Sequence, residues 1–388
     1  MKILIVNNRL KVYGGEGTYF TSVGDELIKR GHDVQFFGVN EEGANHGNRY
    51  NLYAKKSKNP LSILNNKHNV KMFGKLLDQF KPDLIHINLV YFTLTPSILV
   101  EAKKRNIPVV QTVHDGKIVC PSYQLFNQQR NIACTICKDG KFKNCVSNKC
   151  MKNSFFLSYL AYKEATYNKK RNLYGLIDRF IFPSEFMRRL HMDFGISQEK
   201  TCVLQSFTRI NKRKEISPQK KKYIIFFGRL INIKGANILL EVAKKLKDIE
   251  FVIAGEGEYK EGFQRLPNCK AVGFQEKDRL TELVENAYLS VFPSICLENC
   301  PMGIAESTAL CTPVIGANVG GIPELIAENK TGVLFKSGDA ADLERVILET
   351  YKNEDFVYKM TKNCLESATL DDVVSYCDKL LEEYKKVL

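Results

Sequence analysis

Two cations and two carboxylates stand out by their company. Arg229 and Lys234 sit beside glycines in Gly228-Arg229-Leu230 and Lys234-Gly235, directly after the apolar run YIIFF. A guanidinium that binds bidentately and an ammonium that acts as a point charge, next to a glycine turn and a helix start, make a clamp for a diphosphate. A commonplace pair of surface cations would look the same. Glu298 and Glu306 bracket Asn-Cys-Pro-Met-Gly-Ile-Ala, after the strand pattern LSVF and the turn Pro293-Ser294. Pro301 suits the first turn of a helix, which places Glu298 in the preceding loop and Glu306 about one turn inside. Free N–H groups at that helix start can meet a phosphate, Glu306 can grip a diol, and Glu298 can reach toward a transferred group. Two solvated charges are the plain alternative.

Gly14-Gly15-Glu16-Gly17, in the turn Tyr13 to Gly17, lets backbone N–H groups approach an anion closely, although a bare turn has the same composition. It is a poor dinucleotide fingerprint, because the third glycine is missing and the strand ending Phe37-Gly38 has no acidic residue close behind it. His114-Asp115 closes VVQTV; a histidine there can be catalytic or simply packed. Of twelve cysteines, Cys120, Cys134, Cys137, Cys145 and Cys150 share one Lys- and Asn-rich stretch. Cys134 and Cys137 form a C-x2-C pair that can converge with Cys145 and Cys150 on a tetrahedral structural zinc, with Cys120 as competing ligand. Loop thiols in a lid are the alternative. The stretch has too few apolar residues for a core of its own, so something else must order it.

These residues need strands and helices to hold them. KILIV at 2–6, a helical pattern through Phe20, Val23, Leu27 and Ile28, and Val34 to Phe37 predict strand, glycine loop, helix and strand. LIHI at 84–87, VVQTV at 109–113 and FIF at 180–182 continue the alternation. From Thr208 to Lys222 the chain is polar and basic, as an exposed linker would be. A second alternation follows: 223–228, a helix from about Ala236 to Leu246, 251–255, then runs near 271–274, 289–292 and 313–315. The expected fold is α/β, with two Rossmann-like doubly wound domains facing a cleft. The expected boundaries are 1–207, with a Cys-rich insert at 116–152, and 208–370. A terminal helix at 371–388 presents Val374, Cys377, Leu380, Leu381 and Tyr384 on one face.

The length of 388 residues suits two such domains, and 44% hydrophobic with 26% charged residues excludes a disordered chain. A net charge of +14 favours an anionic partner: nucleic acid, an acidic membrane surface or a phosphorylated small molecule. No nucleic-acid recognition module accompanies the basic-aromatic segment Tyr162 to Tyr174, so no nucleic acid is expected. That segment, with Lys169, Lys170 and Arg171 and with Arg188 and Arg189 nearby, is instead a candidate for an anionic membrane surface or a lipid phosphate. No apolar run approaches the ~18 residues of a membrane span, and MKILIVNN reads as a strand rather than a leader. A cytoplasmic location is expected, at the inner face of the membrane if the basic segment serves it.

Together, Gly228-Arg229, Lys234-Gly235, and Glu298 and Glu306 eight residues apart resemble the donor signature of glycosyltransferase family 4. The YGGEG loop, Ala254-Gly255-Glu256-Gly257, Gly273-Phe274 and Gly320-Gly321-Ile322-Pro323-Glu324 are similar to it as well. The Cys-rich stretch beginning Val119-Cys120-Pro121 resembles an insert of bacterial polysaccharide-assembling members. The resemblance implies a retaining hexosyltransferase of the GT-B fold, using a nucleotide-sugar donor and a glycan or lipid-linked acceptor, without a metal cofactor for catalysis. It implies that Arg229 and Lys234 bind the diphosphate, Glu306 the ribose, and Glu298 the sugar hydroxyls. The base would lie by the backbone of Gly273 and Phe274. Gly14 and Gly15 would approach the phosphate side, His114 the sugar or acceptor, and the terminal helix would cross back to the first domain. Cys296 departs from the larger residue expected there. A non-hydrolysing nucleotide-sugar epimerase shares this architecture and is the rival enzyme; a nucleic-acid-binding protein is the rival of another class.

Overall fold

The computed structural model describes residues 1–12, 14–367 and 370–388; Tyr13, the first residue of the glycine turn, lies outside them. The chain divides into two compact units. Met1–Asn131, Thr135–Gln205 and Val373–Leu388 form the first, and Ile132–Cys134 with Ser206–Asp372 the second. Among the described residues, no helix is long and apolar enough to cross a membrane.

The first unit is built on six parallel strands: β1 (Lys2–Arg9), β2 (Asp33–Val39), β3 (Leu84–Ile87), β4 (Val109–Thr112), β5 (Arg179–Phe182) and β6 (Thr201–Val203). Their order is β2-β1-β3-β4-β5-β6. Ile3, Leu4, Ile5 and Val6 are buried on both faces of the sheet, as an apolar run in a helix-covered parallel sheet should be. The order reverses between β1 and β3, so the loops leaving their carboxyl ends diverge and open a crevice there. The helix Gly14–Lys29 leaves β1 and buries Phe20, Val23 and Leu27, whereas Ile28, expected on that face, is exposed.

The second unit repeats the plan with β7 (Lys221–Phe227), β8 (Glu250–Ala254), β9 (Cys269–Gly273), β10 (Ala287–Phe292), β11 (Val314–Ala317) and β12 (Gly332–Phe335). Their order is β9-β8-β7-β10-β11-β12, and the switch falls between β7 and β10. Those two strands carry the loops with Arg229–Lys234 and Pro293–Glu298. The stretch before β7 is less free than a linker. Arg213 pairs with Glu285, and the Lys220 ammonium donates to the carbonyl oxygens of Glu285 and Ala287 and to the Thr312 hydroxyl. Burial lowers the Lys220 pKa to about 8. The basic composition hid a packed entry to the sheet.

The C-terminal helix Val373–Lys385 docks by a face rotated from the expected one. Tyr376, Cys377, Leu380 and Tyr384 are buried, while Val374 is exposed. The rotation is set by two phenols. Tyr384 bonds its hydroxyl to His86 Nδ1 at 2.6 Å, and His86 Nε2 meets the Thr112 hydroxyl at 2.8 Å. The Thr112 hydroxyl in turn bonds the Tyr19 hydroxyl, which meets that of Tyr376 at 2.6 Å. A buried polar chain thus leaves the helix at Tyr384, runs beneath the sheet and returns at Tyr376. Burial pushes the three phenols up and drops His86 to about 3, so every member is neutral. At the rim, Arg30 pairs with Asp378 and Arg179 with Glu383.

The neutral chain, rather than the rim pairs, should carry the docking. Tyr384→Phe strands the His86 ring nitrogen in the core and is expected to cost about 1–3 kcal/mol, whereas Asp378→Asn at the exposed rim costs about 1 kcal/mol or less. Urea titration of both variants checks this; equal losses would put the weight on the rim.

Candidate active site

Glu298 is the centre of the second unit's polar cluster. Lys234, in the short turn Asn232–Lys234 after β7, donates its ammonium to Glu298 Oε1 at 2.6 Å. The Ser294 hydroxyl reaches the same oxygen at 2.8 Å, and the Cys296 thiol at 3.6 Å. Burial pushes the Glu298 carboxyl up, but the field and hydrogen bond of Lys234, with Ser294 and Cys296, outweigh it and hold the net value below the ordinary range. Lys234 is held above its ordinary value in the same way: burial lowers it and Glu298 more than restores it. Cys296 is buried, and its thiol is pushed up to about 12, so it stays a neutral donor in the place where a larger residue was expected.

Two glycines make this approach possible. A Cβ on Gly235 would fall 1.8 Å from the Pro293 carbonyl oxygen, so only glycine lets the Lys234 turn lie on the Ser294 loop. Gly320, with φ +61°, lies on the backbone of Glu298, and the Gly321 N–H donates to the Glu298 carbonyl oxygen at 2.8 Å. The run Gly320-Gly321-Ile322-Pro323-Glu324 thereby pins the main chain of Glu298.

The helix after Glu298 spans Met302–Ala309. Pro301 occupies its cap position, one residue earlier than expected, with no side chain capping the first N–H groups. Glu306 lies in the second turn. Its carboxyl is raised by burial, against the pull of Arg209 and Lys277. Neither cation was singled out from sequence: Arg209 sat in the supposed linker, and Lys277 opens a helix several loops away. Arg229 is exposed on the same rim as Lys234. Phe274, after β9, leaves its ring 72% exposed while its N–H donates to Glu256. Gly273 just before it has φ +72°.

In the first unit, Gly14 and Gly15 begin the helix after β1, with open space where side chains would stand. His114 bonds through Nε2 to Asn88 Oδ1 at 2.8 Å, and burial lowers its pKa to about 3. An acceptor on Nε2 puts the ring proton there and leaves Nδ1 as an acceptor. Sequence reading missed its neighbours. Glu16 takes a hydrogen bond from Asn7; burial, helped by the charge of Asp115, raises its carboxyl to about 7. Asp115 is also raised by burial, although Tyr91 O–H and Lys117 N–H donate to it. The loop is anchored by a buried ion pair, Lys117 with Glu164 at 2.6 Å. These groups come from four separate stretches of sequence, so no linear motif announces them.

Of the five clustered cysteines, Cys145 lies within electrostatic reach of Cys120, Cys137 and Cys150. Cys145 and Cys150 share a hydrogen bond through their thiols, and among the described residues no group of three or more His, Cys, Asp or Glu is placed to hold a metal ion. What orders the stretch is packing: Cys137 and Phe142 bury against Ala165, Tyr162 and Phe194.

Two expectations follow. Lys234→Ala leaves the Glu298 carboxylate without its cation and should cost about 1–3 kcal/mol at neutral pH, part of which Lys234→Ala with Glu298→Gln recovers. Denaturant titration of the four proteins measures the coupling; strictly additive losses would show the pair to be uncoupled. Glu16 keeps its proton when folded above the pH at which the unfolded chain gives it up. Stability therefore falls as pH rises from 4.5 to about 7, by roughly 1–3 kcal/mol. Glu16→Gln should flatten that segment of the stability–pH curve, and an unchanged slope would contradict the burial of this carboxyl.

Comparison with known proteins finds relatives among glycosyltransferases. The chain is 23% identical over 374 residues to N-acetyl-alpha-D-glucosaminyl L-malate synthase of Bacillus anthracis, covering 91% of this chain and 89% of that protein. It is 29% identical over 147 residues to the amylovoran biosynthesis glycosyltransferase AmsK of Erwinia amylovora, 34% of this chain and 36% of that one. Over 235 residues it is 23% identical to the N,N'-diacetylbacillosaminyl-diphospho-undecaprenol alpha-1,3-N-acetylgalactosaminyltransferase of Campylobacter jejuni, 54% of this chain and 61% of that one. The chain thus spans about a third to three fifths of the length of the last two relatives. Among solved structures, Anabaena HepE in complex with UDP-glucose superposes with a TM-score of 0.68 at 17% identity, over the whole of both chains. Sucrose-phosphate synthase of Thermosynechococcus elongatus gives 0.70 at 16%, covering 100% of this chain and 98% of that one. Both share the fold of two parallel-sheet α/β units, the GT-B fold. Residues 207–369 match the family described as Glycosyl transferases group 1 and residues 13–208 the one described as Glycosyltransferase Family 4, and it is to family 4 that the chain belongs.

Proposed function

We propose that this protein is a hexosyltransferase that moves a sugar from a nucleoside-diphosphate donor to a glycan or lipid-phosphate-linked acceptor in polysaccharide assembly, retaining the anomeric configuration. The observation that carries this reading is the Lys234–Glu298 pair at the switch point of the second sheet, beside Arg229 and an uncapped helix start. A diphosphate fits the two cations and the free N–H groups of the helix, and a sugar hydroxyl fits the second lone pairs of Glu298. Glu306 accepts from a ribose diol, and the exposed Phe274 ring offers the base a face. In the first unit, Gly14 and Gly15 offer bare backbone to a phosphate, and neutral His114 accepts from a hydroxyl through Nδ1. HepE was crystallised with UDP-glucose, and the Campylobacter relative is named for a diphospho-undecaprenol substrate; both agree with this choice of donor and acceptor.

The chemistry asked of the site is modest. The bond from the anomeric carbon to the diphosphate oxygen breaks while the acceptor oxygen bonds to that carbon on the same face. The acceptor proton passes to the departing phosphate. Negative charge grows on the leaving diphosphate, where Arg229, Lys234 and the helix start meet it without a metal ion.

Arg229→Ala is expected to lower kcat/KM by roughly 10- to 150-fold, the worth of one charge-assisted bond that strengthens as charge develops. Glu306→Ala should chiefly weaken nucleotide binding, and Glu298→Gln chiefly slow transfer. Kinetics and calorimetry with a panel of nucleotide sugars read both. Wild-type behaviour of Arg229→Ala would remove the donor site from the second unit, and an epimerised donor formed without acceptor would replace the transferase with an epimerase.

A further inference from the structure

The helix Phe155–Lys170 begins at Ser154, whose hydroxyl caps the Leu157 N–H. Its inner face is fixed in the first unit by Ser158, Ala161, Glu164, Ala165 and Asn168, all buried. Its first turns do the opposite: Phe155 is 63% exposed, Phe156 58%, Tyr159 40% and Leu157 37%. The Phe155 and Tyr159 rings lie parallel, 6.5 Å apart, both toward solvent. The short turn Pro60–Ile63 packs beside this helix and holds out Leu61, 65% exposed. Single exposed apolar residues are ordinary, but four within the first two turns of one helix, with Leu61 in a turn packed beside it, mark an interface.

Charge narrows the partner. Residues 55–68 and 149–163 contain Lys55, Lys56, Lys58, Lys67, Lys149, Lys152 and Lys163, and no aspartate or glutamate. All seven are exposed. Lys56 is paired with Glu41, and Lys163 lies over the Tyr159 ring. Protein interfaces are depleted of lysine, whereas aromatic and aliphatic side chains flanked in sequence by exposed lysines match a bilayer's boundary layer, with rings among the acyl ends and ammonium groups on lipid phosphates. The basic end of the same helix is less available than its composition suggests. Lys169 lies over the Phe142 and Phe194 rings and donates to the Asp139 carbonyl oxygen.

We propose that Phe155, Phe156, Leu157, Tyr159 and Leu61 insert into the surface of an anionic bilayer, with Lys149, Lys152 and the lysines of 55–58 on lipid phosphates. The surface is read independently of the donor site. Co-sedimentation with vesicles of phosphatidylcholine alone, and of phosphatidylcholine mixed with phosphatidylglycerol, tests it. The wild type should bind the mixed vesicles and much less the neutral ones. Phe155→Ser with Phe156→Ser should reduce binding by about 10-fold or more, Lys149→Glu with Lys152→Glu should reduce it at least as far, and both should keep the wild-type melting temperature. Lys170→Glu with Arg171→Glu, at the far end, should change it by less than about 3-fold. Failure of the wild type to bind mixed vesicles, undiminished binding by the Phe155/Phe156 variant, or a lipid-free dimer that this variant dissociates would each overturn the assignment.

Discussion

A carboxylate withdrawn from water must find a cation or take up a proton, and in the second unit Glu298 finds Lys234. The cation belongs to the loop after β7 and the carboxylate to the loop after β10. The bond therefore exists only because the strand order makes those two strands neighbours at the point where the sheet reverses. The glycines at 235 and 320 follow from the same requirement, one letting the lysine turn press on Pro293 and the other letting a further loop lie on the Glu298 main chain. Change the strand order and the motif residues would still be present but scattered.

The first unit solves the burial of polar groups in the opposite way. Its helix docking uses phenols, a hydroxyl and an imidazole that all stay neutral, and His114 is neutral too. Its most deeply buried ion pair among the described residues, Lys117 with Glu164, ties the loop after His114 to the helix beginning at Phe155. Against this background Glu16 and Asp115 are two acids raised by burial, and the charge of Asp115 raises Glu16 further.

The sequence was most readable where structure is local. Apolar runs rich in Val, Ile and Phe marked ten of the twelve strands in the two six-stranded sheets. The two that escaped, Thr201–Val203 and Gly332–Phe335, are three- and four-residue edge strands with little periodicity. Lys234 and Glu298 were visible as a spaced motif, but not their bond to each other, because spacing along the chain does not say which loops touch. Arg209, Lys277, Asn88 and Tyr91 carried no local signal at all. The terminal helix was found with its face misjudged: hydrophobicity favoured Val374 over Tyr376, and a tyrosine whose hydroxyl has a partner buries as readily as an aliphatic residue.

Because residues 373–388 complete the first unit although the whole second unit precedes them, the ribosome makes the first unit's core in two instalments. The sheet emerges early, yet the surface formed by Tyr19, His86 and Thr112 stays uncovered until Tyr376 and Tyr384 leave the exit tunnel. During that interval the second unit, continuous from 206 to 372 apart from the three residues 132–134, can finish folding while the first cannot. The unit begun first is the one completed last, and a chain that stalls before residue 373 presents an open polar seam by which an unfinished molecule differs from a finished one.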